Sequence, residues 1–193
     1  MAQLAMAFDY ELCINCKACE VACKEENGII KGADKHRLWI EVKEPLSDYF
    51  SLSTDRTTFT QRQCQQCTNA FCEEVCPVEA IYHDKNGIVI TNPKECILCM
   101  KCIEACPYNA RYVDDERGFV DKCIFCVDTR LARGESTTAC QITCPAKLRY
   151  FGDIDDPKSE ISKVLKSREY FSFPTGDNEV HLFYLKPKKR ERN

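Results

Sequence analysis

The distribution of apolar and polar residues predicts short strands joined by turns, with few helices. Apolar residues recur at every second position from Leu38 to Val42, which is the period of a β-strand. Residues 57–60 could pair back onto this stretch, so a strand insertion is predicted at residues 29–61. Two further strands are predicted at residues 148–152 and 180–185, and two helices at residues 20–26 and 158–166.

Two hairpins are predicted in the middle of the chain. Residues 80–83 and 88–90 flank a turn that contains Asn86 and Gly87, and Asn-Gly is the strongest short-range hairpin signal. A similar pattern recurs at residues 110–121. Short hairpins together with short helices predict an α+β fold.

Sixteen cysteines fall into four groups of four, with none left over. The third group has the spacing C-x2-C-x2-C-x3-C-P, which holds a [4Fe–4S] cluster in bacterial ferredoxins. The second group lengthens one gap to four residues, and the fourth lengthens one gap to thirteen. The groups are Cys13, Cys16, Cys19 and Cys23; Cys64, Cys67, Cys72 and Cys76; Cys96, Cys99, Cys102 and Cys106; and Cys123, Cys126, Cys140 and Cys144. They predict four [4Fe–4S] clusters, with these sixteen cysteines as the iron ligands.

Disulfides and zinc are the competing interpretations of these cysteines. A disulfide scaffold is typical of secreted chains and joins distant loops, whereas these cysteines are crowded at two-residue gaps. A structural zinc ion needs two pairs of cysteines around one tetrahedron. Three cysteines in one run exceed that need but match three corners of a cluster, so the spacing favours iron–sulfur chemistry.

The prolines that follow three of the groups bear on how the ligands are shared. Pro77, Pro107 and Pro145 each follow the last cysteine of a group, and proline helps to turn the chain away at that point. In two-cluster ferredoxins the fourth cysteine of a run ligates the other cluster. The exchanged ligand sets would be Cys13, Cys16, Cys19 and Cys144; Cys123, Cys126, Cys140 and Cys23; Cys64, Cys67, Cys72 and Cys106; and Cys96, Cys99, Cys102 and Cys76. The alternative is that each group of four holds its own cluster.

This exchange predicts two intertwined two-cluster ferredoxin-like units. Residues 62–113 would form an inserted unit that carries the second and third cysteine groups. Residues 1–61 and 114–193 would form the outer unit, with the first and fourth groups and the strand insertion at 29–61. The long gap at residues 127–139 contains a predicted helical turn that a glycine ends; a lid, a partner contact or a plain spacer all fit it.

Composition and charge narrow the possible functions. The net charge is −3 and the pI about 5.7, which argues against a nucleic-acid partner. The apolar fraction of 44 % includes the sixteen cysteines, so the conventional core is thin and metal binding would contribute to folding. An oxidised four-thiolate cluster adds roughly −2, which would make nearby cations useful. The lysines in or beside the groups are Lys17, Lys24, Lys101 and Lys122; ordinary solvated surface roles are the alternative for each.

Several other functional classes lack their motifs in this sequence. No apolar run reaches the length of a membrane-spanning helix, and the start lacks the basic region of a signal peptide. No catalytic triad, phosphate-binding loop or dinucleotide motif is present, and His36, His83 and His181 are isolated. No catalytic residue is therefore predicted, and the chain is expected not to be an enzyme on its own.

The four groups in this order resemble a known family. Together with the segments at residues 126–131 (C-V-D-T-R-L) and 151–153 (F-G-D), they resemble the four-cluster iron–sulfur (beta) subunits of molybdopterin oxidoreductases related to DMSO reductase. The resemblance covers roughly residues 8–166. The short link between Cys106 and Cys123 is most similar to the polysulfide, thiosulfate and tetrathionate reductase branch. All four cysteines of the third group are present, whereas some relatives replace one of them and hold a [3Fe–4S] cluster.

The resemblance implies an electron-transfer subunit of an oxidoreductase complex. Such a subunit relays single electrons between a molybdopterin-containing catalytic subunit and an integral-membrane, quinone-reactive subunit in anaerobic respiration. It implies a position peripheral to the inner membrane, on the periplasmic face through co-export with the catalytic subunit; the cytoplasmic side is the alternative. By analogy, the first group faces the catalytic subunit and the third group faces the quinone side. The rival functions are a soluble polyferredoxin, a redox sensor, and the electron-transfer subunit of a soluble molybdenum or tungsten enzyme.

Overall fold

The computed structural model describes residues 2–29, 35–43, 57–176 and 178–187 and has an α+β fold. Residues 30–34 and 44–56 of the predicted strand insertion lie outside the described residues. The described strands are β1 (Leu4–Phe8), β2 (Leu38–Lys43), β3 (Thr58–Gln63), β4 (Ile81–His83), β5 (Val89–Thr91), β6 (Tyr112–Asp114), β7 (Phe119–Asp121), β8 (Arg149–Asp153), β9 (Tyr170–Phe171) and β10 (Leu182–Leu185). The described helices are α1 (Ala18–Glu26), α2 (Phe71–Glu74), α3 (Lys101–Glu104), α4 (Ala139–Ile142) and α5 (Glu160–Ser167).

A four-stranded sheet joins the two ends of the chain. Its strand order is β8-β1-β10-β9. Strand β1 pairs antiparallel with β8 and parallel with β10, so Met6 lies between Phe151 and Leu182. Residues far apart in sequence therefore form the central sheet. All four cysteine groups lie in the stretch of chain between β1 and β8.

The two faces of strand β1 bury different layers of the protein. Ala5 and Ala7 point to one face and pack with Ile161 of helix α5. Met6 and Phe8 point to the other face, in the larger core that also contains several of the cysteines. The strand period of two residues assigns alternate side chains to opposite faces. Small residues beneath the helix and large ones towards the cysteines allow this sheet to support the cysteine-rich half.

Three separate hairpins complete the part of the fold that the structure describes, and all three are confirmed. Strands β4 and β5 pair as expected from the Asn-Gly signal, and Gly87 has a φ of +71°, which glycine adopts without steric cost. Strands β6 and β7 pair in the same way. Strands β2 and β3 pair over six positions from Leu38–Gln63 to Lys43–Thr58, so this hairpin extends three residues beyond the predicted return strand and ends beside Cys64.

Several element boundaries differ from the predicted ones. Helix α5 begins at Glu160 rather than residue 158, because the Ser159 side chain accepts a hydrogen bond from the Ser162 backbone N at 3.1 Å and caps the helix there. Helix α1 starts two residues earlier than predicted, and β10 two residues later. The sequence analysis missed β1 and β9, whose partners lie more than 140 residues and about a dozen residues away, respectively.

Candidate iron–sulfur centres

The backbone around the cysteine groups adopts an unusual and repeated conformation. All ten non-glycine residues with positive φ in the described part of the chain lie within a cysteine group or three residues after one. The first and third groups each have two, directly before and after the middle cysteine: Asn15 and Lys17, and Leu98 and Met100. Such conformations are costly for ordinary side chains and cluster at functional sites. Here they wind the chain so that successive thiols face a common centre.

Three cavities are each lined by four cysteines taken from two different groups. The three cavities are similar in size, each enclosing about 20 Å³. Their cysteines are Cys13, Cys16, Cys19 and Cys144; Cys64, Cys67, Cys72 and Cys106; and Cys76, Cys96, Cys99 and Cys102. We call these the Cys16 set, the Cys64 set and the Cys99 set. In each one, three cysteines of one group meet the last cysteine of another.

The remaining four cysteines are all buried and lie close together. Burial raises the pKa of the Cys23 thiol well above its usual value, and the neighbouring thiols of Cys123, Cys140 and Cys126 add to the rise. We call these four residues the Cys140 set. The side-chain amide of Asn27 lies 3.6 Å from the Cys23 sulfur. Burial raises the pKa of Cys126, and the Asn27 amide opposes part of that rise.

The four sets form a row. Burial raises the pKa of Cys19, and the thiol of Cys140 in the adjacent set adds to the rise. Burial also raises the pKa of Cys123, and the thiol of Cys64 in the next set adds to that rise. Burial likewise raises the pKa of Cys102, and the thiol of Cys72 in the neighbouring set adds to the rise. These electrostatic influences between thiols of neighbouring sets indicate the order Cys16 set, Cys140 set, Cys64 set and Cys99 set.

The row is exposed at its two ends. Cys16 and Cys99 are the two exposed cysteines, and each is the middle cysteine of a compact group. Large apolar side chains close to them in sequence are exposed: Leu12, Ile14 and Val21 near Cys16 are 56 %, 68 % and 66 % exposed, and Ile97 and Met100 near Cys99 are 60 % and 50 % exposed. Each end therefore presents an apolar surface around an exposed cysteine.

These residues fit [4Fe–4S] clusters. Within the described ranges, no three His, Cys, Asp or Glu side chains converge as ligands of a single metal ion, whereas four thiols surround each cavity. Arg149 lines the Cys16 cavity and is 3 % exposed. Its Nε and Nη1 atoms have no hydrogen-bond partner among the described residues. A buried cation with unsatisfied donors and no carboxylate beside it is costly, and an anionic cluster held by these thiolates would supply the missing charge.

The cations beside the cysteines differ from those expected. Of the four lysines considered, only Lys122 is buried, at 1 % exposed. Lys101 is exposed and has the alternative, solvated role, whereas Lys17 is partly exposed, pairs with Glu20 at 2.7 Å and lines the Cys16 cavity. The buried cations that the sequence analysis missed are Arg37, Arg111 and Arg149.

Arg37 connects the Cys140 set to the hairpin of β6 and β7. Its Nε donates to an Asp121 carboxylate oxygen at 2.9 Å, and its Nη1 donates to the side-chain oxygen of Asn27 at 2.6 Å. The Tyr112 hydroxyl donates to the same carboxylate at 2.7 Å. Burial opposes ionisation of Asp121, but Arg37 outweighs it and keeps the pKa of that carboxyl below its usual value. This buried network holds helix α1, and with it Cys23, in place.

The thirteen-residue gap of the fourth group covers the Cys140 set. It contains a short 3-10 turn at Leu131–Arg133 that ends at Gly134, with a φ of +82°, as predicted. Arg133 pairs with Glu26 of helix α1 at 2.7 Å. Arg130 donates from its Nε to the Thr137 carbonyl oxygen at 2.9 Å and lies 3.7 Å from Glu26. Of the three roles considered for this gap, these contacts favour a lid.

The chain is similar to known iron–sulfur proteins. Two models of the 4Fe-4S dicluster domain match the chain, one at residues 56–154 and the other at residues 12–80. The chain is 45 % identical over 163 residues to one of the chains of the polysulfide reductase of Wolinella succinogenes, covering 84 % of this chain and 83 % of that protein. The chain belongs to the 4Fe-4S dicluster family. Within it, this dicluster protein groups with the iron–sulfur subunits of molybdopterin oxidoreductases, in the polysulfide and thiosulfate reductase branch.

Two further relatives support this placement of the dicluster protein. It is 40 % identical over 169 residues to the thiosulfate reductase electron transfer subunit of Salmonella typhi, covering 88 % of this chain and 84 % of that protein. It is 34 % identical over 189 residues to a subunit of the tetrathionate reductase of Salmonella typhimurium, covering 94 % and 71 %. The dicluster protein therefore binds [4Fe–4S] clusters and is an electron-transfer subunit rather than a catalytic enzyme.

Among the described residues of the dicluster protein, no helix is long and apolar enough to span a bilayer.

Two of the missed arginines share a motif. Cys106 and Cys144 are each followed by proline and then, four residues after the proline, by arginine, at Arg111 and Arg149. This Cys-Pro-x-x-x-Arg repeat was the signal that could have identified them.

Proposed function

We propose that this dicluster protein relays single electrons through four [4Fe–4S] clusters, from one exposed end of its cysteine row to the other. Bound clusters supply the one-electron redox chemistry. The observation that carries the proposal is the row of four cysteine sets with an exposed cysteine at each end. Each set would hold one cluster, with the last cysteine of each group serving the other cluster of its pair.

The ligand exchange makes the chain two intertwined ferredoxin-like units. The unit at residues 62–113 would carry the Cys64 and Cys99 sets, and residues 1–61 with 114–193 would carry the Cys16 and Cys140 sets. The pairing of β1 with β8 supports the outer unit, because it joins residues 4–8 to residues 149–153 across the proposed insertion. The three four-cysteine cavities support the exchange over self-contained groups.

The chain's own residues would position and insulate the clusters. Left-handed residues on both sides of Cys16 and Cys99 turn the thiols inwards. Backbone and side-chain donors reach the sulfurs, as at Cys76, which accepts from the Ala80 backbone N at 3.3 Å. Hydrogen bonds to sulfur and exclusion of water are the protein's means of adjusting cluster potentials.

We further propose a molybdopterin-containing catalytic subunit at one end and an integral-membrane, quinone-reactive subunit at the other. The apolar surfaces around Cys16 and Cys99 support two docking sites, since exposed apolar patches mark interaction surfaces. The names of the relatives support a sulfur-compound reductase of anaerobic respiration. The complex would lie at the periplasmic face of the inner membrane, with this chain held there by its partners.

Metal analysis tests the cluster count. Anaerobically purified chain should contain about sixteen irons and sixteen acid-labile sulfides. About eight irons would mean two clusters and would contradict the four-set proposal. Cysteines bridged to one another, or about four zinc ions, would remove the electron-transfer function altogether.

Isolation of the native complex tests the partners. From membranes solubilised anaerobically, a tagged chain should co-purify with a large chain that contains molybdenum or tungsten bound to pterin, and with a multi-span protein. Ile14→Ser should reduce recovery of one partner and Ile97→Ser recovery of the other, with iron content unchanged in both. Recovery of the chain alone from the soluble fraction, fully loaded with iron, would favour the soluble polyferredoxin instead.

A further inference from the structure

Three buried cations lie along the row of cysteine sets, one at each junction between neighbouring sets. They are Arg149, Lys122 and Arg111, which are 3 %, 1 % and 6 % exposed. Within the described residues, none of the three forms an ion pair with a carboxylate, unlike Arg37 with its partner Asp121. Buried charges in proteins are normally paired, so these cations need another source of negative charge.

Arg149 lies between the Cys16 set and the Cys140 set. It lines the Cys16 cavity. Burial lowers its pKa, but thiols of both sets more than offset this effect: Cys140 belongs to one set, and Cys19 to the other. The Phe8 ring, 5.0 Å from the guanidinium carbon, shields the cation on another side.

Arg111 occupies the equivalent position between the Cys64 set and the Cys99 set. Its Nη2 donates to the Cys72 sulfur at 3.0 Å, and its Nη1 donates to the Thr91 hydroxyl at 3.3 Å. Burial again lowers the arginine pKa, and the thiols of Cys72 and Cys102, one from each set, outweigh it. The two arginines therefore repeat the same arrangement in the two halves of the molecule.

Lys122 lies at the central junction, between the Cys140 set and the Cys64 set. Its Nζ donates to the backbone oxygen of Cys123, a member of the Cys140 set, at 3.0 Å. It also donates to the backbone oxygen of Val89, which lines the Cys64 cavity. The row thus alternates between cysteine sets and cations along its whole length.

We propose that these three cations are electrostatic spacers that raise the reduction potentials of the two clusters on either side of each junction. Reduction adds one electron, and so one negative charge, to a cluster, while no bond forms or breaks in the protein. A buried cation stabilises that added charge strongly, since the interior screens charges poorly. This inference rests on the proposed function, because it concerns the same four cysteine sets.

Removing the charge while keeping an unbranched, flexible side chain tests the proposal. Redox titrations of the anaerobic protein, followed by electron paramagnetic resonance, would be compared for wild type, Arg149→Met and Arg111→Met. We expect each variant to lower the reduction equilibrium constant of two clusters about tenfold, or about 59 mV for one electron, and to leave the other two unchanged. The two variants should affect different pairs, and Lys122→Met should affect one cluster of each pair.

Three comparisons keep the result interpretable. Lys101→Met, which removes an exposed cation beside Cys102, should shift no cluster comparably, because water screens its charge. Arg149→Lys and Arg111→Lys should keep potentials near those of wild type. Unchanged potentials in fully iron-loaded methionine variants would overturn the proposal.

Iron content separates this inference from the cluster count itself. A wild-type chain with fewer than about sixteen irons would contradict the proposed function whatever the variants do. If Arg149→Met loses iron while Arg149→Lys retains it, the charge is required next to the cluster, as proposed. If both lose iron equally, the shape of arginine rather than its charge is required, and the electrostatic role fails at that junction.

Discussion

The first and third cysteine groups differ from the second and fourth in how completely the chain covers them. The compact groups leave their middle cysteines, Cys16 and Cys99, exposed at the ends of the row. The equivalent cysteines of the lengthened groups, Cys67 and Cys126, are buried in its interior. All four groups use left-handed residues beside the middle cysteine, so the difference does not arise from the local winding of the backbone.

The extra residues in the lengthened groups provide the cover. In the second group, the Thr68 backbone N donates to the Glu179 carbonyl oxygen at 2.9 Å, and Asn178 contacts Asn69. In the fourth group, Arg133 ties the thirteen-residue gap to helix α1. In this chain, the longer gaps of the second and fourth groups therefore accompany burial of the second cysteine of the group.

Removal of matched cysteines should separate the two classes most strongly. Cys126→Ala removes a buried ligand from the interior, and we expect little folded, iron-loaded chain, because metal binding contributes folding free energy on the order of 10 kcal/mol. Cys99→Ala removes the equivalent residue at an end and should lose or convert one cluster, with about twelve or more irons retained. Iron analysis and circular dichroism measure both outcomes. Equal losses in the two variants would contradict the comparison.

Chelation of the wild-type protein should show the same contrast in rate. An iron chelator added under anaerobic conditions should first remove about half of the iron, from the two sets with exposed cysteines, and the rest much more slowly, since removal from a buried set needs local opening. Iron release followed by absorbance measures the two phases. A single phase for all of the iron would mean that exposure of Cys16 and Cys99 does not control access.

Weakening the cover should have a moderate effect. Arg130→Met removes the charged donor to the Thr137 carbonyl oxygen within the gap, at a cost of about 1–2 kcal/mol. We expect a fall in melting temperature of about 2–8 °C and faster hydrogen exchange at residues 127–139. Lys101→Met at the exposed end is the control and should change neither measurement.

Substitution of an exposed apolar residue at an end should have the smallest effect on stability. Ile14 is 68 % exposed, so Ile14→Ser should change the free energy of unfolding by no more than about 0.5 kcal/mol. Urea unfolding of the iron-loaded chain measures this. A much larger loss would show that Ile14 belongs to the core of the Cys16 set, and would remove it from the proposed docking surface.

Local features of the chain were predictable from its sequence. The hairpins at β4–β5 and β6–β7 follow from turn chemistry and alternation over a few residues. The cysteine spacing indicated [4Fe–4S] chemistry, because three thiols at two-residue gaps suit a cluster better than a single ion. The family resemblance, confirmed by the polysulfide and thiosulfate reductase relatives, follows from the same motifs.

Features that depend on distant contacts were decided only by the tertiary structure. Strand β1 has a weak pattern of its own and exists because β8 and β10 pair with it from the far end of the chain. Of the four lysines nearest the cysteines in sequence, only Lys122 is buried, whereas Arg111 and Arg149, farther from the cysteine runs, are both buried. The order and exposure of the four sets likewise arise when separate segments pack together, since sequence spacing specifies which thiols are neighbours along the chain but not which surround them in space.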